Sequence, residues 1–512
     1  MQAVGTARTE ISIQDLSALI AAGLKGIIAV PAITEWGELH TPKTVSVWSE
    51  YVKHFGGYLD DVDDPLLLKR ALDAGATLKI SRIAHYTDIT DSSTLDGVKA
   101  TGTVGTDTDG IDFVAASIGA WGNKVTVAIA DAANGVTNEV DYTISISSNP
   151  NLTQIITNVA IAPNAEQIAK FNNSSRIVKI AAVNGTPVTG SVTLTSGEQD
   201  RTAIVATDWL GDASTGTGFR AFDEDVDCTK IAIPSQANPA IDTALIAYVD
   251  DREDMIALLR TPVGLDGATA VDYREGSGAY SHAAHNSWRA IMTTGGLKIT
   301  DPISGAVKII PELPDVMGAM SKRDNNQREW FAAAGPKRGL IKNALGVVVN
   351  FGSSAKKSAA NKLDVYGINP VINHSSFGLV FWGNSTLTKA PSLLKHANVA
   401  ELMIFLFRSL KPLTEFETFD PNDIETWKQI HRRVTPLMDF VKDNRGIWDY
   451  RYQGDQDVDD VSQVAVNDPD NIDLGLYEFQ LIVKPKVGMK YIGVKVGITN
   501  SGTDFSIFDP EN

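Results

Sequence analysis

One stretch limits this chain more than any other. In ELMIFLFRSLKPLTEFETFDPNDIETWKQIHRR (401–433), an almost wholly apolar segment meets an acidic, proline-containing break and then an amphipathic segment. The apolar run 399–410 is about half the length that a bilayer requires and contains Glu401 and Arg408, so it reads as a buried core helix. Asn398 with Glu401, and again Asn422 with Glu425, have the spacing of a capping box. Pro412 and Pro421 lack an N–H and clash with the preceding turn, which predicts two separately started helices. The second places Ile424, Trp427, Ile430, Val434, Leu437 and Val441 at helical spacing and leaves Lys428, Arg432 and Arg433 off that stripe. Pro436 is expected to kink it.

That cationic side stands out because 45 Lys and Arg face 62 Asp and Glu, a formal charge of −17. It points either to an acidic partner or to a solvated face paired with local carboxylates. The overall charge repels a phosphate backbone, so nucleic acid is not an expected partner. A single cysteine, Cys228, leaves no intramolecular disulfide or multi-cysteine zinc site and reads as a small buried hydrophobe. No basic segment followed by an apolar core opens the chain, so neither a secretory signal nor a membrane span is expected.

At 512 residues, roughly three units are expected. Residues 1–88 alternate helices and strands: a helix capped by Ser12 and Asp15, an apolar strand at 25–33, a helix stopped by Gly56 and Gly57, and a helix capped by Asp64 with Pro65 at its first position. A strand at 78–86 follows. Residues 89–205 change to Thr, Ser, Gly, Asn and Asp with short alternating runs at 124–130, 142–147 and 191–196, an inserted peripheral β-rich domain. TDWLGDASTGTGFRAFDEDVDC (207–228) reads as a link with a helix turn. In the α/β unit 206–370, a helix is expected at 249–262 and a buried strand at 346–352. Residues 371–512 form a C-terminal α+β unit. Tyr477, Phe479, Leu481 and Val483 alternate with polar residues; Ile492, Val494, Val496 and Ile498 do the same, and a short run with Phe505 and Ile507 follows. Such strands either close their own sheet or add to a neighbour's edge.

Catalytic patterns are weak. His282 and His285 are three apart but lack a third ligand, and DQDVDD (455–460) has Asp460 where a calcium loop needs glycine. NHSS (373–376) with Asp250 supplies triad residue types but no nucleophile elbow, and the glycines of 211–219 lack a Lys-Ser/Thr ending. No catalytic residue, metal or cofactor is expected, so the chain does not read as an enzyme.

Several segments together resemble the tail sheath proteins of contractile-tailed bacteriophages, in the expected order. These are PKTVSVWSEYVKHFGG with LLLKRALDAGATLKISRI near the N-terminus, Trp121-Gly122-Asn123 before a strand, and DPISGAVKIIPELPDVMGAMSKRD (301–324). The most specific is the apolar helix, the link with Phe419, Pro421, Asn422 and Asp423, and the helix containing Trp427. Where the family has Arg-Arg-Leu in the first helix, this chain has Ala400-Glu401-Leu402.

The resemblance implies a structural protein that polymerises as a helical sheath around a tail tube and shortens when the baseplate triggers it, driving the tube through a bacterial envelope. It implies homo-oligomerisation, contacts with tail tube, baseplate and tail terminator proteins, assembly in the host cytoplasm and residence in the virion. It also implies strand exchange between subunits, with 491–498 and 504–508 as candidates; the local positive charge of Lys428, Arg432 and Arg433 adds the expectation that the basic side of helix 424–441 faces the tube in the extended state. The sheath of a contractile bacteriocin or extracellular injection system shares the fold. A type VI sheath is disfavoured because that family divides the sheath between two proteins. An α/β hydrolase is the reading from a different class.

Overall fold

A computed structural model describes residues 26–106, 108–185, 188–352, 359–454 and 472–490. The chain starts with β1 (Ile27–Ala32), whose six residues are all buried because both faces of the strand are covered. β2 (Lys43–Val45), α1 (Trp48–Phe55), α2 (Asp64–Asp73) and β3 (Thr77–Arg82) follow. Gly56, at φ 89°, ends α1 in a conformation that a side chain would strain. Asp64 does not cap α2: Asp63 holds that position, and the buried Asp64 carboxylate accepts from Ile33 N–H and Ser235 Oγ.

The next segment is an antiparallel sandwich. β4 (Thr101–Gly105) and β5 (Gly110–Ala115) join β9 (Val178–Asn184) in one sheet. β6 (Val125–Asp131), β7 (Glu139–Ile146) and β8 (Gln154–Ala160) join β10 (Gly190–Thr193) in the other, with α3 (Ala165–Ser174) between β8 and β9. Strict alternation in β7 turns Val140, Tyr142, Ile144 and Ile146 into the shared core. Arg82, fully buried at the end of β3, ties the sandwich to the rest by donating to the carbonyls of Gly37 and Ile118 and to Gln199 Oε1. Trp36 and Trp121 meet at 5.1 Å beside it.

The α/β part resumes with α4 (Ala206–Leu210), β11 (Cys228–Ala232), α5 (Pro239–Arg252), β12 (Ile256–Arg260), α6 (Gly267–Glu275) and β13 (Ala290–Thr294). Residues 249–262 are therefore not one helix. α5 ends at Arg252, Glu253 turns left-handed, and the apolar half is a buried central strand. A small sheet of β14 (Leu297–Thr300), β15 (Val307–Ile310) and β16 (Gly346–Val347) brackets α7 (Leu313–Asn326). The strand expected over 346–352 shrinks to two half-buried residues, since it pairs only with the start of β14. α8 (Ala359–Val365), β17 (Ile368–His374) and β18 (Gly378–Phe381) complete the unit.

The central sheet runs β18-β17-β13-β12-β11-β1-β3-β2, parallel except for its two edge strands. α2 and α7 cover one face, and α5, α6 and α8 the other. α2 and α7 pack closely because Gly318 has no side chain; a Cβ there would stand 2.3 Å from that of Ala74. In doubly wound sheets, ligands bind where the strand order reverses, here between β1 and β11. Trp209, Ile33, Ile83, Ile233 and Ile241 fill that crevice.

The last described part holds α9 (Ala397–Glu415), α10 (Ile424–Asp443), β19 (Ile447–Gln453) and β20 (Gln480–Pro485). α9 serves two cores: Ala397, Ala400 and Ile404 pack on the α/β sheet, whereas Leu402, Phe405 and Leu406 pack on α10. Pro412 does not end α9, which continues one turn to Glu415; the break lies at 416–423. Pro436 lies inside α10. No described helix is long and apolar enough to cross a membrane.

Candidate functional site

The break between α9 and α10 is built locally. Asp423, not Asn422, caps α10, accepting from the N–H groups of Glu425 and Thr426. Asn422 accepts from Trp427 Nε1 and donates to the Leu476 carbonyl. The other expected box is also absent. α9 begins at Ala397, which places Asn398 inside the helix, where it donates to the Lys486 carbonyl and accepts from Asn384. Arg433 turns inward to the buried Glu417 at 2.7 Å and lies 4.2 Å from the ring of Phe416. Lys428 and Arg432 are exposed, and Arg432 reaches Glu425 at 3.4 Å.

β19 and β20 form a two-stranded antiparallel ribbon with no third strand among the described residues. One face (Tyr452, Tyr477, Phe479, Leu481 and Val483) rests on α10, while Trp448 and Ile482 face outward, 68% and 47% exposed. A ribbon of two strands is marginal alone and is stabilised by further strands added at its edges. Residues 491–512, including Ile492, Val494, Val496, Ile498, Phe505 and Ile507, lie outside the described residues, as do Ser12, Asp15 and 455–460.

Beneath this unit lies a buried ion cluster that sequence reading missed. Arg323 on α7 donates twice to Glu401 on α9 at 2.6 Å and also binds Asp324 at 2.6 Å. Lys230 on β11 reaches Asp324 at 2.6 Å and Glu401 at 3.4 Å. Burial, aided by the neighbouring Asp324, pushes Glu329 up to about 8, so it is protonated at neutral pH. The cluster then holds two cations and two anions, which low-dielectric surroundings require. The only signals in the sequence were Glu401 within an apolar helix and the Arg-Asp pair ending α7.

The catalytic residue types are dispersed. Asp250 accepts from Ser287 Oγ, while His374 accepts from Ser376 N–H and stacks on Trp382. His282 and His285 stack at 4.6 Å, and burial holds His285 down to about 4. No group of three or more potential metal ligands occurs among the described residues. Cys228 is buried, and its burial raises the thiol's pKa.

The architecture is an α/β core carrying a β sandwich and a helical unit with a two-stranded ribbon, and solved sheath proteins of contractile systems share its overall fold. The chain superposes on a sheath tail protein from Listeria innocua with a TM-score of 0.62, covering 92% of this chain and 95% of that one at 15% identity. It superposes on the contracted helical sheath of the anti-feeding prophage with a TM-score of 0.55, covering 97% and 99% at 13% identity. Its sequence is 25% identical over 332 residues to the tail sheath protein of Enterobacteria phage T4, which is 62% of this chain and 48% of that protein. It is 24% identical over 198 residues to the tail sheath protein of Vibrio phage KVP40, 38% of this chain and 28% of that one. The matched part thus spans about half of the first relative's length and about a quarter of the second's. No protein-family model matches the chain.

Proposed function

We propose that this chain is a subunit of a phage tail sheath, a structural protein rather than an enzyme. It polymerises helically around a tail tube and contracts to drive the tube through the host envelope. The observation that carries this reading is the sequence similarity to two phage tail sheath proteins, on a fold shared along nearly the whole chain with a contracted sheath. Those relatives favour a phage over a bacteriocin. The subunit would assemble in the host cytoplasm, contact tube, baseplate and tail terminator proteins, and reside in the virion.

Strand exchange gives the mechanism its mechanical basis. The edges of the β19–β20 ribbon would accept strands from adjoining subunits, with 491–498 and 504–508 as donors. A donated strand of about four to six hydrogen bonds, each worth roughly 1 kcal/mol net, would link neighbours through connectors while whole domains rotate. Contraction then needs two packings, the extended one held behind a barrier and the contracted one lower in free energy. A chain trimmed after Lys490 is expected to fold as a monomer yet build no cylinders. Normal contractile cylinders from the trimmed chain would refute strand exchange.

The exposed side of α10 would face the tube. Lys428 and Arg432 carry its charge, because Arg433 is committed to Glu417. Reversing both to Glu should weaken tube-templated assembly at least tenfold at physiological salt; equal assembly would count against this orientation.

A further inference from the structure

Phe419 sits at the tip of the break between α9 and α10, is 102% exposed, and holds a left-handed backbone at φ 78°. Such a conformation costs a residue with a Cβ roughly 1–2 kcal/mol and persists only where the surroundings impose it. Here they do. Arg433 grips Glu417 from below and lies against Phe416, so the turn is braced while its aromatic tip stays in water. Exposed carboxylates surround the tip: Glu415, Asp420, Asp423 and Glu425.

The opposite surface exists elsewhere on the chain. Between α2, α7 and the segment 337–343 lies a groove of about 450 Å³ with Ala74, Ala319 and Leu340 among its lining residues. Leu340 is 44% exposed. Arg70 and Arg323 in its wall are tied to Asp315 and Glu401. Lys322, Lys337 and Lys342 are exposed and have no ion-pair partner among the described residues. A phenyl ring needs a space of about 150 Å³, so the groove has room for one.

We infer that the acidic, Phe419-tipped turn of one copy docks into this cationic groove of the next copy in the sheath. This rests on the sheath reading above and specifies one of its contacts. Phe419 is fully in water and is not seated in the groove of its own chain, so it is available to another copy. On a chain of net charge −17, most surfaces repel one another, and three lysines without ion-pair partners among the described residues, opposite a turn whose exposed carboxylates outnumber its cations, select this pairing. A knob and a groove built from different residues make a heterologous contact, the kind that propagates into rings or open helices rather than closing a two-fold dimer.

Disulfide trapping tests the contact, since the native Cys228 is buried and contributes little background. Phe419→Cys and Leu340→Cys chains are mixed, assembled into cylinders and oxidised in both the extended and the contracted state. A cross-linked heterodimer is expected in at least one state, with neither chain forming it alone. In parallel, Lys322→Glu/Lys337→Glu/Lys342→Glu should raise the critical concentration for assembly at least tenfold, and Asp420→Lys/Glu425→Lys in the partner should restore it. All of these positions are exposed, so the monomer should keep its circular dichroism. Cylinders that form without the cross-link in either state, and with an unchanged critical concentration in the charge variant, overturn the inference and leave the sheath reading standing. Unaltered chains that form no cylinders at all refute the sheath reading itself.

Discussion

Replacing Glu401 with leucine should destabilise the protein by about 3–5 kcal/mol, the usual cost of stranding a buried charge. Arg323 is fully buried and loses both of its 2.6 Å bonds to the carboxylate, and Lys230 loses its second partner. Because Glu401 lies on α9 while Lys230 and Arg323 lie on the α/β core, the damage should concentrate at that seam. The α9–α10 unit should become protease-sensitive before the sandwich does. Replacing both partners, Arg323→Met with Glu401→Leu, should cost less than the sum of the single changes, because no unpaired ion remains. Denaturant unfolding followed by tryptophan fluorescence measures this. A loss below about 1 kcal/mol for Glu401→Leu would show that the cluster holds nothing together.

Raising the pH from 6.5 to 8 should weaken the fold by about 2 kcal/mol through Glu329 alone. Burial, with Asp324 and Glu401 nearby, outweighs the attraction of Lys230 and Arg323 and pushes its carboxyl up to about 8 from an ordinary value of 4.5. A group raised in the folded state binds its proton more tightly there. Its contribution is therefore complete below about 4.5 and disappears as the pH climbs through about 8, at roughly 1.4 kcal/mol per unit of pH. Asp64 and Asp242, both pushed up to about 7 by burial, add to the early part of this decline. His40 and His285, held near 4 by burial, act in the opposite direction; their unfolded forms are still half protonated at pH 6.5 and lose that proton by about pH 7.5, so they offset the early part of the decline and leave the interval from about 7.5 to 8 to the carboxyls. Glu329→Gln mimics the protonated acid and should flatten the profile between pH 7 and 8. A profile of unchanged slope in that variant would assign the decline to other groups.

Much of the fold was legible because the local rules agreed with the tertiary outcome. Period-two alternation marked β6, β7 and β20, and the apolar stripe of α10 buried Trp427, Ile430, Val434, Leu437 and Val441 as its spacing demanded. Errors gathered where a polar side chain had two possible employers. Asn398 and Glu401 fit a capping box by spacing, but a buried arginine binds a carboxylate more strongly than an N–H at a helix start does, and Glu401 went to Arg323. Asp64 fit a cap and instead pins the ends of β1 and β11 through Ile33 and Ser235. The cluster around Lys230 was invisible because its members are 94 and 171 residues away along the chain, on elements that only the sheet order brings together. Arg433 left the exposed cationic face for a related reason: periodicity gives the direction of a side chain but not the buried Glu417 waiting beside it.

Electron microscopy of the purified full-length chain, with and without its tail tube, tests the sheath reading most directly. Hollow cylinders of uniform width that convert to a shorter, wider form are the predicted result. A chain that stays monomeric at high concentration and on tubes, or that forms rods of one invariant length and width, would contradict it.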